Sequence, residues 1–178
     1  MTNKGSGDEG FLQLNDAGEV ATIKMDAEHG RITATSIRLH TDNAANELDD
    51  YEEGTWTPVI KKYVNSNFNS AATMVSNGTV HHAKYTKIGD TVHIYLFWNG
   101  FQQSDANYCV LGGLPFTSSG GGTILVSYND CFTNNQNQGA LIGNSSTNMS
   151  FYYSGYNWNG WHSGSGRTLY LGGCYKAT

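Results

Sequence analysis

Four carboxylates stand close together near the end of the first third of the chain. Asp49 and Asp50 are followed almost at once by Glu52 and Glu53, and paired carboxylates perform acid–base catalysis in many hydrolases. The same four residues in a polar connection are more typical of a solvated surface. No nucleophile elbow, phosphate-binding loop or zinc-hydrolase signature accompanies them, so the sequence predicts a protein that is not an enzyme.

Groups for acid–base or metal chemistry are scarce in the rest of the chain. Three carboxylates follow residue 53: Asp90, Asp105 and Asp130. Three histidines are close in sequence: His81, His82 and His93. No His-x-His spacing occurs among them, and a zinc site requires four ligands at defined spacing. The sequence therefore predicts neither a metal site nor a cofactor.

A run of aromatic residues between Phe151 and His162 is the best candidate binding surface. Sugar rings stack on tryptophan and tyrosine faces, and asparagine side chains offer paired donors and acceptors. Tyr156, Trp158 and Trp161 are the candidate glycan contacts, because glycine and asparagine surround them. The alternative is that these rings fill a core poor in aliphatic side chains, or a contact between subunits.

The three cysteines, Cys109, Cys131 and Cys174, are widely spaced and form no C-x-x-C pair. An odd number argues against a disulfide framework, so we expect reduced thiols that pack as small hydrophobic groups, as suits folding in a cytoplasm. The first residues contain no apolar segment of the kind found in secretory signals, and no stretch is apolar enough to span a membrane. We expect neither export by a cleaved signal nor a membrane partner.

Charge divides the chain into two parts. Residues 1–53 hold 12 of the 15 acidic and 4 of the 10 basic side chains, whereas residues 54–178 hold 3 acidic and 6 basic ones. We therefore expect a tail, stem and acidic linker over 1–53 and a separate domain over 54–178. No basic stripe is present, so nucleic acid is not an expected partner. The 22 glycines and 22 aromatic residues favour short strands joined by tight turns.

The N-terminal part contains three strand-like runs: Phe11–Leu14, Glu19–Met25 and Arg31–Leu39. Turn-forming residues separate them, including those at 26–30. Three short strands cannot bury a core of their own. We expect them to pair with identical neighbours in an intertwined, threefold β-stem, or to fold back as a small sheet.

The C-terminal part is predicted to be an all-β, sandwich or jelly-roll-like domain. Thr79–Ile88 and Thr91–Trp98 flank a tight turn at Gly89-Asp90, which places His93 opposite Tyr85. Both faces of the second strand are apolar, which predicts a sandwich interior or a subunit interface. Asn99-Gly100 signals a further turn. More strands are expected at these positions: Ala106–Leu111, Thr123–Tyr128, Ala140–Ile142, Met149–Tyr153 and Thr168–Tyr175.

The segment Leu48–Pro58, with the sequence LDDYEEGTWTP, resembles a motif of bacteriophage tail-fibre and related virion proteins, where it joins a stem to a C-terminal knob. Tyr85–Val92 and Gly113–Phe116 match in the same order. Within the motif, Gly54 is expected to permit a backbone turn. Trp56 is expected to act as an apolar anchor and Pro58 to fix the start of the first knob strand. Together with Tyr51 they form the predicted stem–knob junction: Tyr51, Gly54, Trp56 and Pro58.

The resemblance implies a homotrimer at the virion surface, assembled in the cytoplasm of the bacterial host. Knobs of this build also occur as trimeric decoration, or cement, proteins on phage heads. Since few residues precede the stem-like strands, we expect head decoration, with residues 1–53 docked on the major capsid protein or another virion protein. The alternative is a tail-fibre tip that recognises a host surface glycan through its knob.

Overall fold

The computed structural model describes residues 24–26, 28–33, 37–38, 47–48, 50–64, 67–105, 109–133, 138–153, 157–158, 161–162, 164 and 166–178. All regular structure within these residues is β and none of it is helical, which confirms the all-β prediction. The chain divides into two compact units, Met1–Asp49 and Asp50–Thr178. This boundary precedes the one predicted at residues 53/54, because the acidic residues after Asp50 begin a strand of the second unit.

The first unit contains two pairs of short antiparallel strands. Strands β1 (Lys24–Asp26) and β2 (Arg31–Thr33) form a hairpin in which Asp26 pairs with Arg31. The predicted turn at 26–30 is confirmed, and Gly30 adopts a φ of 61° there. Strands β3 (Ile37–Arg38) and β4 (Glu47–Leu48) also pair. The predicted run Phe11–Leu14 lies outside the described residues.

Among its described residues the second unit has eleven strands, and each strand predicted after residue 78 has a counterpart, although residues 106–108 of the one predicted at Ala106–Leu111 lie outside the described part. They are β5 (Tyr51–Thr55), β6 (Val59–Val64), β7 (Asn67–Ala71), β8 (Met74–Ile88), β9 (Thr91–Gln103), β10 (Cys109–Gly112), β11 (Ser118–Asn129), β12 (Gln138–Ile142), β13 (Asn148–Tyr153), β14 (Asn157–Trp158) and β15 (Arg167–Ala177). All pair antiparallel in one sheet of order β5-β8-β9-β15-β11-β12-β13-β10-β6-β7, and β14 pairs with β13.

Two short connections force this sheet to curl. Residues 56–58 join β5 to β6, and residues 72–73 join β7 to β8, although these strands lie at opposite ends of the sheet order. Three extended residues span only about 10 Å. The two ends of the sheet therefore approach each other, and the apolar core lies inside the curl.

The predicted hairpin at Gly89-Asp90 is confirmed, since Ile88 pairs with Thr91 and Gly89 has a φ of 57°. A two-residue loop in this register places His93 opposite Thr86, so the expected pairing with Tyr85 is wrong.

The turn predicted at Asn99-Gly100 is also wrong, because β9 continues to Gln103. Gly100 and Gly78 both have positive φ, 74° and 58°, and lie between the pairs Asn77–Phe101 and Thr79–Asn99. The strands pair on both sides of the two glycines, and a Cβ on Gly78 would overlap the Asn99 carbonyl oxygen, so this close approach requires glycine.

The two faces of β9 differ in burial. Val92, Ile94, Leu96 and Trp98 point into the core, as their shared face predicts. Tyr95, on the other face, is 46% exposed. The second face of β9 is therefore not covered within one chain. The expectation that both faces of this strand lie in a sandwich interior is wrong for the second face.

Asp105 joins the ends of the curled sheet. Its carboxylate accepts a hydrogen bond from the backbone N–H of Thr73 at 2.5 Å and pairs with the Lys62 ammonium at 3.3 Å. The Thr73 N–H and then the Lys62 charge lower the pKa of Asp105. A lowered folded-state pKa means that the ionised carboxylate stabilises the fold.

We expect Asp105→Asn to lower the free energy of unfolding by about 1 kcal/mol at pH 7, because a partly exposed charge-assisted contact is lost. This stabilisation is complete above the unfolded pKa of about 3.9 and disappears as pH falls through the lower folded pKa. Urea unfolding of both proteins from pH 7 to pH 2 measures the difference. A difference that stays constant down to pH 2 would contradict the assignment.

Candidate functional site

The three segments singled out in the sequence, Leu48–Pro58, Tyr85–Val92 and Gly113–Phe116, meet in the fold. Gly54 lies in β5 directly opposite Tyr85 of β8. A Cβ on Gly54 would stand 2.6 Å from the Tyr85 hydroxyl oxygen, so glycine is needed for the close approach of this ring. The φ of Gly54 is not positive. The expected backbone turn at this residue is therefore wrong, and steric space explains the glycine.

The acidic stretch before Gly54 is tied to the sheet. The buried Lys87 ammonium forms an ion pair with Asp50, and the Gly89 N–H donates to the Asp50 carbonyl at 2.9 Å. Glu52 accepts a hydrogen bond from the Tyr85 hydroxyl. That bond raises the pKa of Tyr85. Asp50 and Glu52 thus link β5 to β8. Asp50, Glu52 and Glu53 are all exposed, as expected of a solvated acidic surface.

The third segment packs on the same cluster. The rings of Phe116 and Tyr85 meet edge to face with their centroids 5.3 Å apart, and the Lys87 ammonium lies 5.6 Å from the Phe116 centroid. The Tyr175 hydroxyl accepts from the Phe116 N–H at 3.2 Å and donates to its carbonyl at 3.0 Å. Gly113, with a φ of 86°, places its Cα so close to the Thr57 carbonyl that no Cβ fits.

The remaining predicted junction residues surround this cluster. Trp56 and Pro58 are buried, and the backbone N–H of Trp56 donates to the Ala83 carbonyl at 3.0 Å. Tyr51 stays exposed, and its hydroxyl donates to Glu53. We define the junction cluster by the residues of the three segments that make these contacts: Asp50, Gly54, Thr57, Tyr85, Lys87, Gly113 and Phe116. The sequence located its three segments but not their contact.

Of the three predicted glycan contacts, the structure describes the side chain of Trp161 alone. Trp161 is fully buried at 0% exposure. Its ring packs against Phe132 and Phe151 at centroid distances of 4.8 and 5.4 Å, and its indole N–H donates to the Cys109 carbonyl at 3.0 Å. A surface role for Trp161 is wrong, and the alternative of a core-filling ring applies. Tyr156 lies outside the described residues, as does the side chain of Trp158, so their predicted roles stay predictions.

An exposed apolar surface, which sequence reasoning did not locate, covers the outside of the sheet. We call it the outer face and define it by Tyr95, Phe97, Leu125, Tyr128, Leu141 and Tyr170. The Phe97 and Tyr170 rings stack at 4.1 Å and 16°, and His81 stacks on Phe97 at 4.3 Å. The sequence signal for this surface was the apolar second face of β9. It identifies the contribution of one strand but not which strands lie beside it.

The three thiols do not share one environment. Cys109 and Cys131 are buried, as expected, but Cys174 is exposed, so that prediction is wrong for Cys174. Burial raises the pKa of Cys109 to about 11 and that of Cys131 well above its ordinary value. Cys174 pairs with His93 across the strands and therefore lies beside the outer face.

We expect a Cys174→Ser variant to show no reactive thiol in the native state and two after denaturation. The thiolate is the reactive form, and burial keeps both remaining thiols protonated and shielded near pH 8. Titration with a chromogenic disulfide reagent, with and without denaturant, counts them. Rapid reaction of one thiol in the native variant would contradict the burial of Cys109 or Cys131.

The described residues contain no group of three or more side chains suited to bind a metal ion, and within them no helix is long and apolar enough to cross a membrane. No family model matches the chain, and none of the curated proteins does.

Proposed function

We propose that this chain is a non-enzymatic structural protein of a bacteriophage virion, a homotrimer that decorates the head shell. In this proposal residues 50–178 form a β-sandwich or jelly-roll-like knob. Residues 1–49 form an intertwined stem that docks on the major capsid protein or another virion protein. A tail-fibre tip that binds host glycan is the competing function, and the experiment below separates the two.

The junction cluster is the observation that carries the proposal. Each of the three segments resembling virion proteins is short, and two of them would mean little alone. In the fold they contact one another through Tyr85 on Gly54, Lys87 with Asp50 and Gly113 against Thr57. Segments that resemble one family and also form one packed unit support a shared structural role at the point where the chain passes from the first unit into the sheet.

A decoration protein acts through contact. A small docking footprint gives each trimer only modest affinity once the costs of ordering are subtracted. Repetition over a closed shell multiplies that energy, and a partner that binds only the assembled shell stabilises it by mass action. The stabilisation is therefore mechanical and cumulative, and it requires no catalytic group from this chain.

Particles that lack the protein test the proposal. They should assemble, release DNA at a lower temperature than complete particles, and adsorb to cells at the normal rate. Addition of purified protein should restore the release temperature. Normal heat resistance combined with failed adsorption would overturn head decoration and support the fibre tip. Normal behaviour in both assays would overturn both.

A further inference from the structure

The outer face is similar in size to the largest apolar patch of a typical single chain. Four of its side chains are about half exposed or more: Tyr95 46%, Leu125 67%, Tyr128 55% and Leu141 53%. Together they offer on the order of 400 Å² of apolar surface, since side chains of this size each bury up to about 200 Å². Phe97 and Tyr170 add to this area. The largest apolar patch of a protein is often functional, so the outer face is a candidate contact surface.

The chemistry of the face selects a protein partner. Phe97 lies between His81 and Tyr170 in a stack, so both of its ring faces are occupied and its edge points outward. Sugar rings stack on open aromatic faces, which Phe97 does not offer, although Tyr95 and Tyr128 at the sides of the stack are about half exposed. Charges lie at the margin of the face: Lys84 is exposed and pairs across the strands with Tyr95, and Lys176 forms an ion pair with Asp90 at 2.7 Å. The centre of the face therefore suits an apolar, uncharged protein surface.

The relief of the face suits a copy of itself. Across four neighbouring strands, Tyr95, Gly172, Leu125 and Gly139 stand side by side. Large side chains alternate with glycines. A Cβ on Gly139 would meet nothing within 4 Å, and one on Gly172 would be in ordinary contact with the Tyr95 ring at 3.7 Å. Strands are about 4.8 Å apart, so two ridges about 10 Å apart flank a valley of similar width. The same row shifted by one strand has ridges where this row has valleys.

We propose that the outer face is the contact surface between copies of this chain, and that it holds the knobs of the trimer together. The half of the row with Tyr95 and Gly172 packs against the half with Leu125 and Gly139 of the next copy. Tyr95 then fills the valley at Gly139, and Leu125 fills the one at Gly172. Because each copy offers two different halves, the contact is heterologous and closes into a ring. This inference rests on the homotrimer of the proposed function.

The test uses the full chain and two matched variants. Leu125→Glu places a charge in the centre of the face, and Val75→Glu places one at an equally exposed site, 61%, outside it. Native mass spectrometry at micromolar concentration should show trimers for the parent chain and for Val75→Glu. Leu125→Glu should weaken association at least about 100-fold, because an unpaired charge would be buried at the contact. Circular dichroism should be the same for all three.

Cys174 reports on the same face independently. Maleimide should modify Cys174 at least about tenfold more slowly in the parent trimer than in Leu125→Glu, because contact with another copy excludes the reagent.

Each other outcome overturns the inference in a recognisable way. A parent trimer with rapidly reacting Cys174, and a Leu125→Glu variant that stays trimeric, would place the trimer contact elsewhere and leave the proposed function intact. A Leu125→Glu variant that stays trimeric but no longer protects particles would assign the face to the shell. A parent chain that is monomeric would overturn both this inference and the homotrimer, and a dimer would exclude the three-way packing.

Discussion

Replacement of Trp161 by alanine is expected to lower the free energy of unfolding by about 3–5 kcal/mol, the range typical of a buried tryptophan. Its ring lies between Phe101, Phe132 and Phe151 with centroid distances of 6.2, 4.8 and 5.4 Å. Alanine would leave a cavity among these rings and remove the donor to the Cys109 carbonyl. A loss of this size is a large part of the 5–15 kcal/mol that usually stabilises a domain.

Chemical denaturation monitored by circular dichroism measures the effect, and Trp161→Phe is the matched control. Phenylalanine keeps most of the buried ring but cannot donate to the carbonyl, so we expect it to lose about 1–3 kcal/mol. A surface tryptophan would behave otherwise, with both substitutions within about 0.5 kcal/mol of the parent chain. That result would restore Trp161 as a candidate glycan contact.

Replacement of Gly113 by alanine should destabilise the junction cluster by about 3 kcal/mol or more, for two separate reasons. Its φ of 86° costs an L-residue about 1–2 kcal/mol. In addition, the new Cβ would overlap the backbone carbonyl of Thr57, which must move together with the neighbouring Trp56 and Pro58.

A series of glycine substitutions separates these two costs. Gly89 has a positive φ of 57° but free space around a Cβ, and Gly143 has free space without a positive φ. We expect Gly143→Ala to be nearly neutral, Gly89→Ala to cost about 1–2 kcal/mol, and Gly113→Ala to cost clearly more. Thermal unfolding of the three variants ranks them. Equal effects at Gly89 and Gly113 would show that the chain accommodates the Thr57 contact without cost.

Local sequence signals predicted most of the strands. Alternation of apolar side chains along β9, and the Gly89-Asp90 pair before it, were sufficient for the hairpin, because a two-residue loop and a period of two depend on neighbouring residues only. The strands β6 and β7 were not singled out, and their place at the far end of the sheet order could not be read from the chain. Strand order depends on pairing between distant segments.

The same limit explains the errors at single residues. Asn99-Gly100 has a typical turn sequence. In the structure Gly100 of β9 lies opposite Gly78 of β8, and the pairing of these two strands overrides the local turn preference. Gly54 was correctly singled out, but for a backbone turn, whereas the reason is the Tyr85 ring opposite it. The sequence alone does not show whether a glycine is needed because of its backbone φ or because a neighbouring group leaves no room for a Cβ.

By itself, the sequence determined the all-β class, the main hairpin and the change of charge near residue 53, and it singled out the three segments of the junction cluster. These follow from composition and from short-range periodicity. Only the tertiary structure decided that Trp161 lies inside, that Cys174 lies outside, that the three segments touch and that an apolar face remains open. Burial depends on which side of a strand the curled sheet encloses, and that is fixed by partners far away in the chain.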